Sequence, residues 1–286
     1  MAKILSVAEL AATAGVAAAA GLVDAAHAID TPDASGERRA WVEQIMGMPI
    51  SVHVRGAGAR GLAADVAARR LFDDLRESDR IFSTYREDSE INRLQRGELS
   101  LADCNPSVRE VHRLCEVARL RTDGYVDAWA VPGRPGLFDP TVLVKTWAVA
   151  RAARYFDELD ALALAVGAGG DILLRPGDEP DPWMIGIQDP NDRAATIATV
   201  PVREGGIATS GLSARGAHIF DPHTGLAATD VTSATVIGPS LMWADVWATA
   251  AIARGTSAIE WVETLHGTSG LLVLADGSTH SWQNEP

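Results

Sequence analysis

Asp245 and Thr249 stand four residues apart in a largely apolar run from 241 to 254. On a helix, residues at i and i+4 share a face about 6 Å apart, so a carboxylate and a hydroxyl would converge. Two hard oxygen donors suit Mg2+, which leaves its remaining positions to water and phosphate oxygens. The same spacing also describes an aspartate near a helix start beside a threonine facing solvent. Gly169-Gly170-Asp171 lies between two apolar runs. Its glycines would let backbone amides approach an anion, or would simply turn a hairpin. Thr209-Ser210-Gly211 and the segment from His218 to Gly225 are dense in hydroxyl, imidazole and carboxylate groups. His218 has the chemistry of a general base, because imidazole titrates near neutrality, and equally that of a structural loop histidine. His223, in a Pro-x-Thr-Gly turn, is expected to be exposed. Tyr85, in Phe82-Ser83-Thr84-Tyr85, would stack on an aromatic ligand or pack on the core. Taken singly, each feature has a structural reading at least as good as its chemical one.

The elements that must position these groups follow from periodicity. Ile50, Val52 and Val54 alternate with Ser51, His53 and Arg55, which predicts a half-buried strand. Leu71, Leu75, Ser78 and Phe82 share one stripe of a helix from about 63 to 81. Ser107 with Glu110, just after Pro106, reads as a capping box for a helix that ends near Gly124. Cys115 falls on that helix's apolar face with Val108, Val111 and Ala118, as a buried thiol. Strands are expected at 162–166, 172–174, 184–187, 196–202, 231–237 and 270–275, the last ending in an Asp276-Gly277 turn. The helix from 241 to 254 stops at Gly255, and Ser257 with Glu260 caps a final one. Long helices interspersed with mostly antiparallel strands make the class α+β.

The bulk numbers narrow the partners. With a net charge of −13 the chain has no positive field for nucleic acid, so an anionic ligand must be held locally. No run is apolar enough to span a bilayer, and Cys104 and Cys115 form no C-x-x-C. Residues 1–40 read as an N-terminal extension, with a polar linker at 31–39, ahead of a body at 41–286. Ala26-His27-Ala28 has the look of a cleavage site, but Glu9 interrupts the apolar stretch before it, which favours a cytoplasmic location over export.

In order along the chain, these motifs resemble the bacterial FAD:protein FMN transferases, the ApbE family. The landmarks are Met46-Gly47-Met48, Phe82-Ser83-Thr84-Tyr85 with Asp88-Ser89-Glu90-Ile91, Phe138-Asp139-Pro140-Thr141, and Ala168-Gly169-Gly170-Asp171. They continue with Thr209-Ser210-Gly211, His218-Ile219-Phe220-Asp221-Pro222 with Thr224-Gly225, and Ala244-Asp245 to Thr249, so the resemblance covers about 41 to 275. It implies a T-fold-like α+β architecture, FAD as substrate, and Mg2+ on the FAD pyrophosphate. The implied metal ligands are Asp245, Thr249 and the backbone carbonyl of Ala168. Met46, Tyr85, Asp139, Gly169, Gly170, Thr209 and Ser210 would contact FAD, and His218 would activate the acceptor hydroxyl. The implied reaction moves FMN from FAD to a Thr or Ser of an acceptor flavoprotein, with AMP leaving. A magnesium-dependent FAD pyrophosphatase and a non-catalytic FAD-binding protein are the alternatives. The chain departs from the family at Trp147-Ala148, where relatives have tryptophan-glycine, and it lacks their lipid-anchoring cysteine near the start.

Overall fold

The alternation at 50–54 becomes the middle of strand β3 (Met48–Arg55), with Ile50, Val52 and Val54 buried. The computed structural model describes residues 28–29, 37–178, 180–212 and 219–285; the expected extension and cleavage-site residues at 1–27 and 30–36 lie outside these. β2 (Arg38–Ile45) pairs with β3, then come helices α1 (Leu62–Phe82), α2 (Glu90–Gln95), α3 (Pro106–Arg121) and α4 (Thr141–Ala152). β4 (Ala163–Ala168), β5 (Asp171–Arg175), β6 (Trp183–Gln188), β7 (Thr196–Val202), β8 (Gly205–Gly211) and β9 (Val231–Gly238) follow. α5 (Leu241–Arg254), α6 (Ala258–Val262), β10 (Ser269–Leu274) and β11 (Thr279–Gln283) complete the chain.

Among the described residues the strands form two sheets, one of eight strands in the order β11-β10-β9-β8-β5-β4-β3-β2. The other is three-stranded, with β6 between β7 and β1 (Ala28–Ile29). Every pairing is antiparallel, and the class is α+β as expected. Because strand side chains alternate between faces, the large sheet feeds two cores. Leu164, Val166, Leu173 and Ala208 join the helices' apolar residues, including Leu71, Leu75 and Leu143. Their neighbours Ala163, Ala165, Ile172, Leu174 and Ile207 pack with Ile185 and Val200 of the small sheet. The large sheet is thus covered on one face by helices and on the other by a small sheet.

Several expectations need correcting. The cap of α3 is Asn105, whose side chain accepts from Ser107 N at 2.9 Å, while Pro106 occupies the first helical turn. Proline is favoured there because that position has no backbone donor to lose. Ser107 is therefore not the cap, and Glu110 instead accepts from Trp147 Nε1 at 3.3 Å. Ser257 makes no cap hydrogen bond; its hydroxyl donates back to Arg254 O at 2.9 Å. The expected linker contains the start of β2, an edge strand whose charged residues hide its period. β8 and β11 are further strands that no clear alternation in the sequence marks. β8 is Gly-Gly-Ile-Ala-Thr-Ser-Gly, and its glycine makes room for a helix: a Cβ on Gly206 would sit 2.3 Å from Leu241 Cα.

Candidate active site

Asp245 sits in the second turn of α5, which starts at the Ser240 cap and ends at Gly255, where φ is +60°. Its carboxylate is buried against α4. Thr146 Oγ1 donates to Asp245 Oδ2 at 3.0 Å, and Lys145 Nζ lies 3.6 Å from the same oxygen. Lys145 Nζ also contacts Asp171 Oδ2 directly, while Asp171 Oδ1 accepts from Thr209 N at 3.1 Å. One turn further along α5, the hydroxyls of Thr249 and Ser210 are 3.0 Å apart. Asp245 with Thr146, Lys145 and Asp171, and Thr249 with Ser210, thus form two polar clusters one helical turn apart along α5, facing α4 and strands β5 and β8.

The glycine turn borders this network. Gly169 and Gly170 have φ of +58° and +96°, a conformation open to glycine without strain. A Cβ on Gly169 would meet Met48 Sδ at 2.9 Å and Lys145 Cδ at 3.9 Å, so the lysine stem runs beside the turn. Ala168 ends β4 opposite Ile50, which brings the Met46-Gly47 turn of the β2–β3 hairpin to the same end of the sheet. Met46 itself has φ of +54° and packs partly against the core.

Electrostatics tie the three charges together. Burial pushes the Asp171 carboxyl well above the usual carboxylate range; the Lys145 ammonium pulls it back and the Asp245 charge adds to the push. Two carboxylates this close need a cation, and here an ammonium supplies it.

Other expected residues fall differently. Thr209 reaches the network only through its backbone N–H; its hydroxyl turns to the opposite face and meets Thr235 Oγ1 at 2.9 Å. Asp139 is half-buried, with Oδ1 accepting from Thr141 N at 3.0 Å at the start of α4. Tyr85 is 97% exposed, which excludes the core-packing alternative. Its turn is nonetheless fixed: Asn92 Nδ2 donates to Thr84 O at 3.1 Å and to Arg86 O at 2.7 Å, and Ser89 caps α2. His223 is exposed as expected, its ring 4.6 Å from Tyr125, and it borders a surface depression of about 730 Å3 away from Asp245. Asp221 is structural, holding His223 N at 2.9 Å and Thr224 Oγ1 at 3.0 Å. His218 lies outside the described residues. Trp147, at the family departure, is buried against Phe82 with ring centroids 5.5 Å apart, on a face of α4 other than the site's.

Sequence reasoning missed Lys145, Thr146 and Asp171 as members of this network. A signal existed: of 25 cationic residues only Lys3 and Lys145 are lysines, and Lys145-Thr146 interrupts an apolar helix.

A family model described as "ApbE family" matches residues 136–272, the stretch that contains all of this network. The fold is similar to "Flavin Transferase ApbE from Vibrio cholerae", with a TM-score of 0.73 at 21% identity over 87% of this chain and 97% of that one. The chain is ApbE-like. An ApbE protein from Thermotoga maritima gives the same TM-score of 0.73 at 20% identity, covering 85% of this chain and 96% of that one. Among curated relatives, "FAD:protein FMN transferase" of Klebsiella pneumoniae (strain 342) is 30% identical over 155 residues, 50% of this chain and 44% of that protein. The protein of the same name from Escherichia coli (strain K12) is 28% identical over 163 residues, 52% of this chain and 46% of that protein. The ApbE-like match thus spans less than half the length of these relatives.

The resemblance to the ApbE family implies a magnesium ion, and the chemistry of Asp245 and Thr249 would suit one. Asp245, Thr249 and Ser210 offer oxygen donors, which would suit a hard cation. A positive group, the Lys145 ammonium, already stands 3.6 Å from Asp245 Oδ2. Among the described residues no group of three or more His, Cys, Asp or Glu could hold a metal, so an ion at Asp245 would depend on hydroxyl, carbonyl and phosphate oxygens as well.

Proposed function

We propose that this chain moves the FMN half of FAD onto a threonine or serine hydroxyl of an acceptor flavoprotein, in a magnesium-dependent reaction. The observation that carries the reading is the buried Asp245 network beside the Gly169-Gly170 turn, within the stretch matched by the ApbE model. Asp245, Thr249 and the Ala168 carbonyl would hold Mg2+. Bound there, the ion would act as a Lewis acid toward the charge that develops on the departing AMP. Tyr85, Met46 and Asp139 would orient the dinucleotide, with Gly169, Gly170 and Ser210 lining the phosphate end. His218 would take the proton as the acceptor oxygen bonds to the FMN-side phosphorus and the bond from that phosphorus to the bridging oxygen breaks. A positioned base is worth roughly 10²–10⁴-fold in rate. The folded unit for this chemistry would be 41–286, with the preceding residues as an extension.

The test is mass spectrometry of acceptor flavoproteins after incubation with the full chain, FAD and MgCl2. The expected result is an acceptor heavier by FMN on a Thr or Ser, with one AMP released per modification. Steady AMP release without acceptor would support hydrolysis instead. No AMP under either condition would leave only FAD binding.

A further inference from the structure

The three charges at the centre of the network are not equally matched. Lys145 Nζ is in direct contact with Asp171 Oδ2 but stands 3.6 Å from Asp245 Oδ2, beyond good hydrogen-bond range. The Asp171 side chain is 1% exposed and is anchored a second time by Thr209 N, whereas the Asp245 side chain is 9% exposed. Two buried carboxylates cannot stay charged side by side without a cation, yet a divalent ion at Asp245 would repel an ammonium held against it. We propose that Lys145 is a resident placeholder cation, neutralising Asp171 and Asp245 together until a divalent ion arrives, with Asp171 as the anchor that draws the ammonium aside.

The choice of side chain fits this role. Lys145 is one of two lysines among 25 cationic residues. An ammonium is a compact charge on a flexible stem, whereas a guanidinium would fork rigidly across both carboxylates. The stem runs past the Gly169 turn, with Cδ 3.9 Å from where a Cβ would stand. Lys145 acts through Asp245 and is a positioning residue. The inference rests on the proposed metal site at Asp245.

Its consequence is a pair of opposite effects. Removing the ammonium removes a competitor, so Lys145→Met should bind a divalent ion more tightly. Removing the anchor lets the ammonium settle on Asp245, so Asp171→Asn should bind the divalent ion more weakly. Each change should be about tenfold in Kd. The experiment is calorimetric titration of the full chain with MnCl2, without FAD, for wild type, both variants and Asp245→Asn. Circular dichroism melts check folding, and Lys145→Gln carries the same expectation should the methionine variant not fold. A merely structural lysine would make both variants bind more weakly, and that result, or no change in either, would overturn the proposal while leaving the metal site standing. Wild type and Asp245→Asn taking up Mn2+ alike would overturn the metal site and this inference with it.

Discussion

A carboxylate buried between its own helix and α4 and a tyrosine ring left in water make opposite demands on the molecule. Asp245 is compensated by Thr146 and Lys145, so its loss frees the ammonium to pair with Asp171 alone. On the proposed function, Asp245→Ala should slow FMN transfer in the presence of magnesium by about 100-fold or more, followed as AMP release. Undiminished turnover at ordinary magnesium levels would place the metal elsewhere. Tyr85 has the reverse profile, because an aromatic ring exposed at 97% contributes little to folding. Its turn is pinned by Asn92, so the ring is presented without needing to be supported. Tyr85→Ala should leave the melting temperature within about 2 °C while weakening FAD binding by about fivefold in a fluorescence titration. An unchanged affinity would remove Tyr85 from the site.

At the scale of elements, the site depends on how closely α5 lies on β8. Gly206 is buried beneath the first residue of that helix, and an added Cβ would meet Leu241 Cα at 2.3 Å and Leu241 N at 2.6 Å. These are backbone atoms, so the whole helix would have to lift. Gly206→Ala should therefore cost about 3 kcal/mol or more in denaturant unfolding, and it should separate Thr249 from Ser210. Gly47 provides the contrast. Its φ is +73° with nothing within 4 Å of the added carbon, so alanine there meets only conformational strain. About 1 kcal/mol is expected for Gly47→Ala. Equal losses at the two positions would mean that the helix–strand approach is not the tight point.

At the scale of the whole molecule, the two thiols report on the core. Cys104 and Cys115 are both buried, and burial pushes the Cys115 thiol up to about 12 and raises that of Cys104. Reactivity belongs to the thiolate, so neither should react in the folded state. An Ellman's titration at mildly alkaline pH should find no reactive thiol in the native protein and both after unfolding in guanidinium. Rapid native labelling of Cys115 would show that α3 opens readily from the helical layer.

Local pattern was enough for much of this protein. The helix carrying Asp245 and Thr249 is legible in the sequence, because its apolar run and its terminal glycine act within a few residues, whereas the Ser240 cap emerges only from the structure. The same holds for β3, whose alternation is a property of consecutive positions. What the sequence did not disclose lies between distant segments. Thr146 meets Asp245 across 99 residues, and Lys145 reaches Asp171 only because α4 and β5 pack on a shared core. Thr209 and Ser210 are neighbours in the chain, yet the strand pleat sends one hydroxyl to Thr235 and the other to Thr249. Side-chain period and stop signals fix an element, whereas which charge faces which is decided when apolar faces are buried and strand register is set.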